Sequence, residues 1–288
     1  MSVEPGEKFG SDRIVILGSG GARYMATTQY RSTGGFVLEA LHGRVQAHVD
    51  PGPGAIRDLK DHKDVVDAKK TNYVILTHEH NDHDMSIPVI VEALQDDMEF
   101  KVKKGTFICP SGYLASEKYY FRMLARLVGM NAGDVVDLEP GFSISAKSAW
   151  HSDTVPNVGY VLELGDANGP YHYTIGFTSD TEPFADYVAN YEGVDVLVAN
   201  LLRPDDVVCR GHMCTDQLIP LLQEIKPKIC ILVHFGRRMD NEIDGNQVPA
   251  QVQKIKDAIA DGTTVIIGPT DGQVIEFAKV VNDNQREI

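Results

Sequence analysis

Thr77-His78-Glu79-His80-Asn81-Asp82-His83-Asp84 is the stretch on which the reading of this chain turns. It follows directly on the apolar run at residues 73–77, which has the length and composition of a buried strand. Three imidazoles and the Asp82 carboxylate crowd into the six residues from 78 to 83. In an extended segment side chains alternate faces, so His78 and His80 point the same way, and a turn immediately afterwards brings Asp82 and His83 round to the same space. Neutral imidazole nitrogens and carboxylate oxygens match zinc and related borderline cations at about 2.0–2.2 Å, and a strand end holds them rigidly. A polar surface loop that happens to be rich in histidine is the bland alternative. It gives no reason for this spacing to sit right behind an apolar strand.

Six residues supply at most four ligands, so a catalytic site needs partners at other strand ends. Three occur: His151 behind the extended run 142–149, Asp180 behind 173–178 and His234 behind 229–233. Each alone is ordinary, a satisfied histidine or a turn aspartate; their order behind the eight-residue motif is not. The remaining chain has the same grammar. Extended runs at 13–17, 35–40 and 45–49 precede the stop Asp50-Pro51-Gly52-Pro53-Gly54, after which Ile56, Leu59, Val65 and Val66 fall near helical spacing. Helices are expected over 84–99 and 116–128. In the second half, strands over 158–164, 194–199 and 264–267 combine with helices over 215–224 and 249–259. Two β-then-α halves with no linker between them predict an α/β, four-layer αββα sandwich forming one domain over residues 1–288, with 282–288 frayed.

With these residues in place the chain resembles the metallo-β-lactamase-fold hydrolase superfamily, whose signature is His-x-His-x-Asp-His followed by a His, an Asp and a His on later strand ends. The resemblance covers nearly the whole chain. Carried over residue by residue, it implies that His78, His80 and His151 hold one metal, that Asp82, His83 and His234 hold a second, and that Asp180 bridges the two. Asp50 resembles the superfamily's early Asp-Gly turn and is taken as structural. The gaps of 73, 29 and 54 residues between His78, His151, Asp180 and His234, the opening Leu17-Gly18-Ser19-Gly20-Gly21-Ala22-Arg23 with Arg31, and Gly211-His212-Met213-Cys214-Thr215 look like the ribonuclease Z and phosphodiesterase branch. There a histidine at the place of His212 donates a proton or hydrogen bond to the phosphoryl or leaving oxygen; a helix-start residue without catalytic duty is the competing reading. Members of the branch are often dimers, which leaves a homodimer open.

Departures from the branch narrow the substrate. Processing enzymes for transfer RNA commonly carry a long basic arm, often between the positions of His151 and Asp180, yet no Lys or Arg stands between Ser152 and Ser179. With 27 basic against 41 acidic side chains the net charge is −14, and its field repels polyanions. Structured RNA is disfavoured, and a small-molecule or short phosphodiester substrate is expected. Zinc β-lactamases of the best-known subgroup place a cysteine where Asp180 stands, and flavo-di-iron enzymes need a flavin module for which there is no room. Four scattered cysteines without a CxxC pair, no secretion signal and no apolar run of about 18 residues predict a cytoplasmic protein with no membrane role. Gly18-Ser19-Gly20-Gly21 lacks both GxGxxG spacing and a following helix, so a nucleotide loop there is set aside. Cys209 and Cys214 read as small packed side chains; His42, His48, His62 and His172 receive no role.

Two divalent cations, zinc first with Mn2+ or Fe2+ as alternatives, acidify a shared water from a pKa of 15.7 towards about 7 and neutralise charge on the attacked centre. The expected activity is therefore a metal-dependent hydrolase, phosphodiesterase first, using a bridging hydroxide. Asp82 orients the water and accepts its proton. Arg23, Arg31 and Arg237 are candidate partners for a phosphate. Lactone, thiolester or β-lactam hydrolysis is the alternative within hydrolases, and a mononuclear iron oxygenase on the same fold the alternative outside them.

Overall fold

The computed structural model describes residues 12–95, 102–152, 154–166, 172–259, 262, 264–278 and 281. Its first sheet opens with the antiparallel strands β1 (Arg13–Ile16), β2 (Phe36–Ala40) and β3 (Val45–Val49), and continues in parallel through β4 (Tyr73–Ile75), β5 (Thr106–Pro110) and β6 (Arg126–Met130). The second sheet repeats the scheme. β7 (Val135–Glu139), β8 (Phe142–Ser148), β9 (Val158–Gly165) and β10 (His172–Phe177) are antiparallel, and β11 (Val196–Asn200) and β12 (Ile229–Val233) run parallel to β10. After a short ribbon of β13 (Asp240–Asn241) and β14 (Gly245–Asn246), β15 (Val265–Ile267) joins β12 and β16 (Val274–Ile275) joins β1. Among the described residues each large sheet has seven strands.

Both faces of the inner strands, such as β4, β11 and β12, are covered, which explains their unbroken apolar runs in the sequence, whereas β6, β7 and β8 keep exposed or half-buried positions. Successive side chains serve different layers. Ile14 and Ile16 of β1 meet Ile229 and Ile231 of β12 in the core between the sheets, whereas Val15 and Leu17 face outward under helices α2 (Ala55–Asp61) and α4 (Ile87–Ala93). Leu197 of β11 and Cys230 of β12 likewise face α5 (Tyr187–Tyr191), α6 (Thr215–Ile225) and α7 (Val248–Ala258). The result is helix, sheet, sheet, helix: the αββα sandwich expected from the sequence. All four cysteines are free, and only Cys209 is not fully buried. No helix among the described residues is long and apolar enough to cross a membrane.

Three local expectations give way. In place of the helix expected over 116–128 stand a short 3-10 segment, Tyr119–Met123, and the start of β6, with a second 3-10 segment, Ser111–Ala115, just before them. Tyr120, Phe121, Met123 and Leu124 do share a buried face, but it packs on Phe107 of β5 in one turn, and pairing of Arg126–Met130 with β5 takes the rest. The helix expected over 84–99 is split into α3 (Asn81–Asp84) and α4. Pro88 opens α4, where its missing N–H costs nothing; residues 96–99 lie outside the described residues, as do the tail 282–288 and most of the turn after Gly165. Finally, a helix does follow Gly18-Ser19-Gly20-Gly21: α1 (Ala22–Thr28), capped at Gln29 in the left-handed region.

Candidate metal centre

β1, β3 and β4 of the first sheet and β8, β10, β11 and β12 of the second end at one edge of the sandwich, and the polar residues stand there. β4 ends at Ile75, and the Thr77 N–H and hydroxyl both donate to the Asp50 carboxylate at 2.8 Å, tying the end of β4 to the end of β3. His78 follows, fully buried, and His80 sits at the start of α3 in extended conformation, so the helix turn carries Asp82 and His83 back towards it. β8 delivers His151, β10 delivers Asp180 and β12 delivers His234.

The structure brings all seven together in two groups. His78, His80, His151 and Asp180 offer ligand atoms within 4.8 Å of one another, and so do Asp82, His83, Asp180 and His234. Asp180 belongs to both: its Oδ2 lies 3.7 Å from His78 Nε2 and 3.8 Å from His151 Nε2, and its Oδ1 lies 3.1 Å from His234 Nε2. In the first group His80 Nδ1 is 3.0 Å from His78 Nε2 and 2.9 Å from His151 Nε2. One hydrogen-bonding proton cannot satisfy three converging ring nitrogens and a carboxylate; a divalent cation among them does, so the donors fit zinc or a similar ion.

The rings are also prepared for that task from behind. His151 Nδ1 faces the Gly211 carbonyl at 2.8 Å, His83 Nδ1 faces Asp50 Oδ2 at 2.9 Å and His78 Nδ1 faces Thr77 Oγ1 at 3.1 Å, which leaves each Nε2 free for the centre. Asn200 at the end of β11 donates to Asp180 Oδ1 at 2.9 Å. Asp50, Ser179 and His234 adopt positive φ of 48°, 60° and 64°, a conformation costing roughly 1–3 kcal/mol each at non-glycine residues. That strain, concentrated at three strand ends, turns the side chains into one space.

Charge follows the same plan. Burial pushes the Asp180 carboxyl up, but His234, His83 and His212 together hold it well below the usual carboxylate range. Burial likewise works against ionisation of Asp82, and His83 and His234 reverse it. Burial lowers His83 less than Asp82, Asp50 and Asp180 raise it, so it ends well above the ordinary imidazole value. Burial dominates at His78 and His151, which stay below it. His212 is opposed by burial yet drawn up to about 9 by Asp180, whose Oδ2 is 3.3 Å from its Nε2.

The centre opens into a cavity of about 510 Å³ bordered by His80, Asp82, His151, Asp180 and His212 on the polar side and by Ala26, Pro53 and Met85 on the apolar side. Of the three arginines expected to meet substrate, only Arg23 lines it. Arg31 is a correction: it is buried, paired with Asp240 at 2.7 Å, close to Ser19 Oγ at 2.8 Å and packed over Phe235. The conformational clamp on the loop between β1 and α1, not a phosphate, accounts for it. Arg237 lies 5.1 Å over the Tyr24 ring, away from the cavity's lining.

Sequence reasoning named Asp50 but undervalued it, and missed Asn200 and Gly21. Strand ends were the available signal for Asp50 and Asn200. Gly21 stood in the motif at 17–23 without a role of its own: a Cβ there would fall 2.1 Å from His234 Cδ2, a clash visible only in three dimensions.

Residues 46–235 match the family model described as the β-lactamase superfamily domain. The chain is 31% identical over 230 residues to an uncharacterized protein of Methanocaldococcus jannaschii, covering 79% of this chain and 84% of that protein. It is 28% identical over 170 residues to a UPF0173 metal-dependent hydrolase of Nanoarchaeum equitans, covering 58% and 71% respectively. Among solved structures, the metallo-β-lactamase fold protein YhfI from Bacillus subtilis superposes with a TM-score of 0.67 at 18% identity, over 91% of this chain and 98% of that one.

Proposed function

From the premise that this chain belongs to the β-lactamase superfamily domain family, metal-dependent hydrolases of the metallo-β-lactamase fold, we propose that it is a dinuclear phosphodiesterase, with zinc as its first-choice metal and residues 1–288 working as one catalytic domain. The observation that carries the reading is two donor groups sharing Asp180 and opening into one cavity whose wall includes His212 and Arg23. A complete second group also favours two cations over the single iron of an oxygenase.

Two divalent cations held there would supply Lewis acidity and a water acidified towards neutral pH. The chain's own residues do the rest. Asp82 Oδ2, fixed by the Ala22 N–H at 2.6 Å and by His234 at 3.1 Å, is held to orient a water and accept its proton. His212 Nε2, on the cavity wall, is placed to give a proton to the departing oxygen, and its ring is steadied edge-on against His151 with centroids 4.6 Å apart. Arg23 lines the cavity with its charge available to a phosphate. Met85, Ala26 and Pro53 add apolar surface to the same cavity. The substrate this arrangement suits is a small or short phosphodiester.

The test is hydrolysis of bis(p-nitrophenyl) phosphate by purified protein, with metal content measured on the same sample and lactone and β-lactam substrates alongside. Turnover with about two cations per chain, abolished in Asp82→Ala, is expected. Ring opening without phosphodiester turnover would overturn the reaction class, and full activity in Asp82→Ala would overturn the mechanism.

A further inference from the structure

The chain's single tryptophan, Trp150, stands directly before His151 and is 60% exposed. It is nevertheless held in place. Its N–H donates to Thr181 Oγ1 at 2.9 Å and its carbonyl accepts the Glu182 N–H at 2.9 Å, which pins it to the loop behind Asp180. Its side chain stacks on Phe184, with centroids 6.0 Å apart and planes 7° from parallel. Phe184 meets Tyr187 edge-on at 5.9 Å, and Tyr187 packs against Tyr191 at 5.4 Å inside the core beneath the second sheet. The exposed indole is thus the outer end of an aromatic ladder rooted in the core.

Trp150 and His151 line a second open cavity, of about 340 Å³, together with Ala149, Ser152, Glu182 and Arg210. His151 also borders the cavity of Arg23 and Met85, so the two cavities share this ligand of the metal centre. A phosphate ester bound at the centre would send one substituent towards Arg23 and the other towards Trp150. A rigid exposed π-face on the wall of a pocket of this size recognises flat rings, and Ser152 and Glu182 add polar atoms for a ring's edge.

Because both cavities share His151, we propose that the one walled by Trp150 is a subsite for a planar aromatic group carried by the substrate's phosphate ester, a nucleobase or a simple aryl ring stacking on Trp150. Its place in turnover rests on the phosphodiesterase reading; its binding does not. Because the tryptophan is unique, its fluorescence reports the subsite directly. The metal-loaded protein is titrated with adenosine 5′-monophosphate, phenyl phosphate and ribose 5-phosphate. Saturable quenching by the two ring-bearing ligands, with a Kd roughly tenfold below that of ribose 5-phosphate, is expected. Tighter binding of the adenosine ester than of phenyl phosphate assigns a nucleobase, and equal binding assigns any aryl ring. In calorimetric titrations Trp150→Ala should lose the roughly tenfold preference and Trp150→Phe keep most of it. Equal affinity for all three ligands, or an unchanged preference in Trp150→Ala, overturns the subsite. Ring-selective quenching without turnover of any phosphodiester keeps the subsite and overturns the reaction class; turnover of bis(p-nitrophenyl) phosphate without ring preference does the reverse.

Discussion

Replacing Gly21 with Ala should strip one cation from the centre without unfolding the protein. The Gly21 backbone is extended, with φ −154°, so any residue could adopt it. Space is the constraint: the new Cβ would lie 2.1 Å from Cδ2, 2.2 Å from Cγ and 2.3 Å from Nε2 of His234. Carbon atoms in contact sit about 3.5–4.0 Å apart, so the ring must retreat by more than about 1 Å. Backbone movement cannot absorb this, because Gly21 N–H donates to the Phe235 carbonyl at 3.2 Å and Phe235 N–H to the Ser19 carbonyl at 2.9 Å. A metal site tolerates ligand displacements of about 0.2 Å, so His234 is lost to the second group, and affinity there should fall more than about a hundredfold. The first group, which does not use His234, keeps its ion. The assay is metal per chain by emission spectrometry after dialysis against graded chelator, with a thermal melt on the same sample. Gly268→Ala is the control. Its Cβ would meet Val252 Cγ2 at 2.6 Å and Val248 Cγ1 at 2.8 Å on α7, with no metal-ligand side chain among its nearest neighbours, and should cost about 1–3 kcal/mol while retaining both ions. Two ions held by Gly21→Ala with wild-type affinity would refute the argument.

Other expectations concern the groups around the ligands. Asp50→Ala removes the acceptor behind His83 Nδ1 and both Thr77 contacts, and should weaken metal binding about 10–100-fold with the sandwich intact; unchanged affinity in a competition titration would show that Asp50 only shapes its turn. His83 binds its proton more tightly than an ordinary imidazole, so metal must displace about one proton there, and apparent affinity should rise with pH until His83 deprotonates unaided. Calorimetry of zinc binding in buffers of different ionisation enthalpy reads that proton; zero release at pH 7 contradicts it. His48, fully buried with Nε2 2.8 Å from the Gly34 carbonyl, has its pKa lowered by burial from 6.5 to about 4. The unfolded chain therefore takes up this proton first, and stability present above pH 6.5 is lost as pH falls towards 4, by about 3 kcal/mol. Urea unfolding of the wild type should lose that much more than His48→Gln over the interval, and parallel pH profiles would refute it.

Much of the site was legible because its chemistry is local. His78, His80, Asp82 and His83 are ligand types compressed into a strand-to-helix turn, and His151, Asp180 and His234 each follow a run with a strand's pattern, alternating at 142–149 and mostly apolar at 173–178 and 229–233. What failed was judgement of single turns. The spacing of Tyr120, Phe121, Met123 and Leu124 reads as helix, yet Arg126–Met130 belongs to a sheet edge offered by β5. Arg23 and Arg31 look alike in the sequence, but one lines the cavity and the other is locked to Asp240, 209 residues away.

Alternation, apolar runs and His-x-His-x-Asp-His are carried by neighbouring residues, so the two β-then-α halves, the strand ends and the ligand types were legible from local order alone. That Asp180 faces both groups, that Asp50 backs His83, that Gly21 must have no side chain beside His234 and that Trp150 stacks on Phe184 while staying exposed follow only from the packed fold. Those are distances between residues far apart in the chain. They are fixed by how two sheets stack and by strain at Asp50, Ser179 and His234, and no local pattern encodes them.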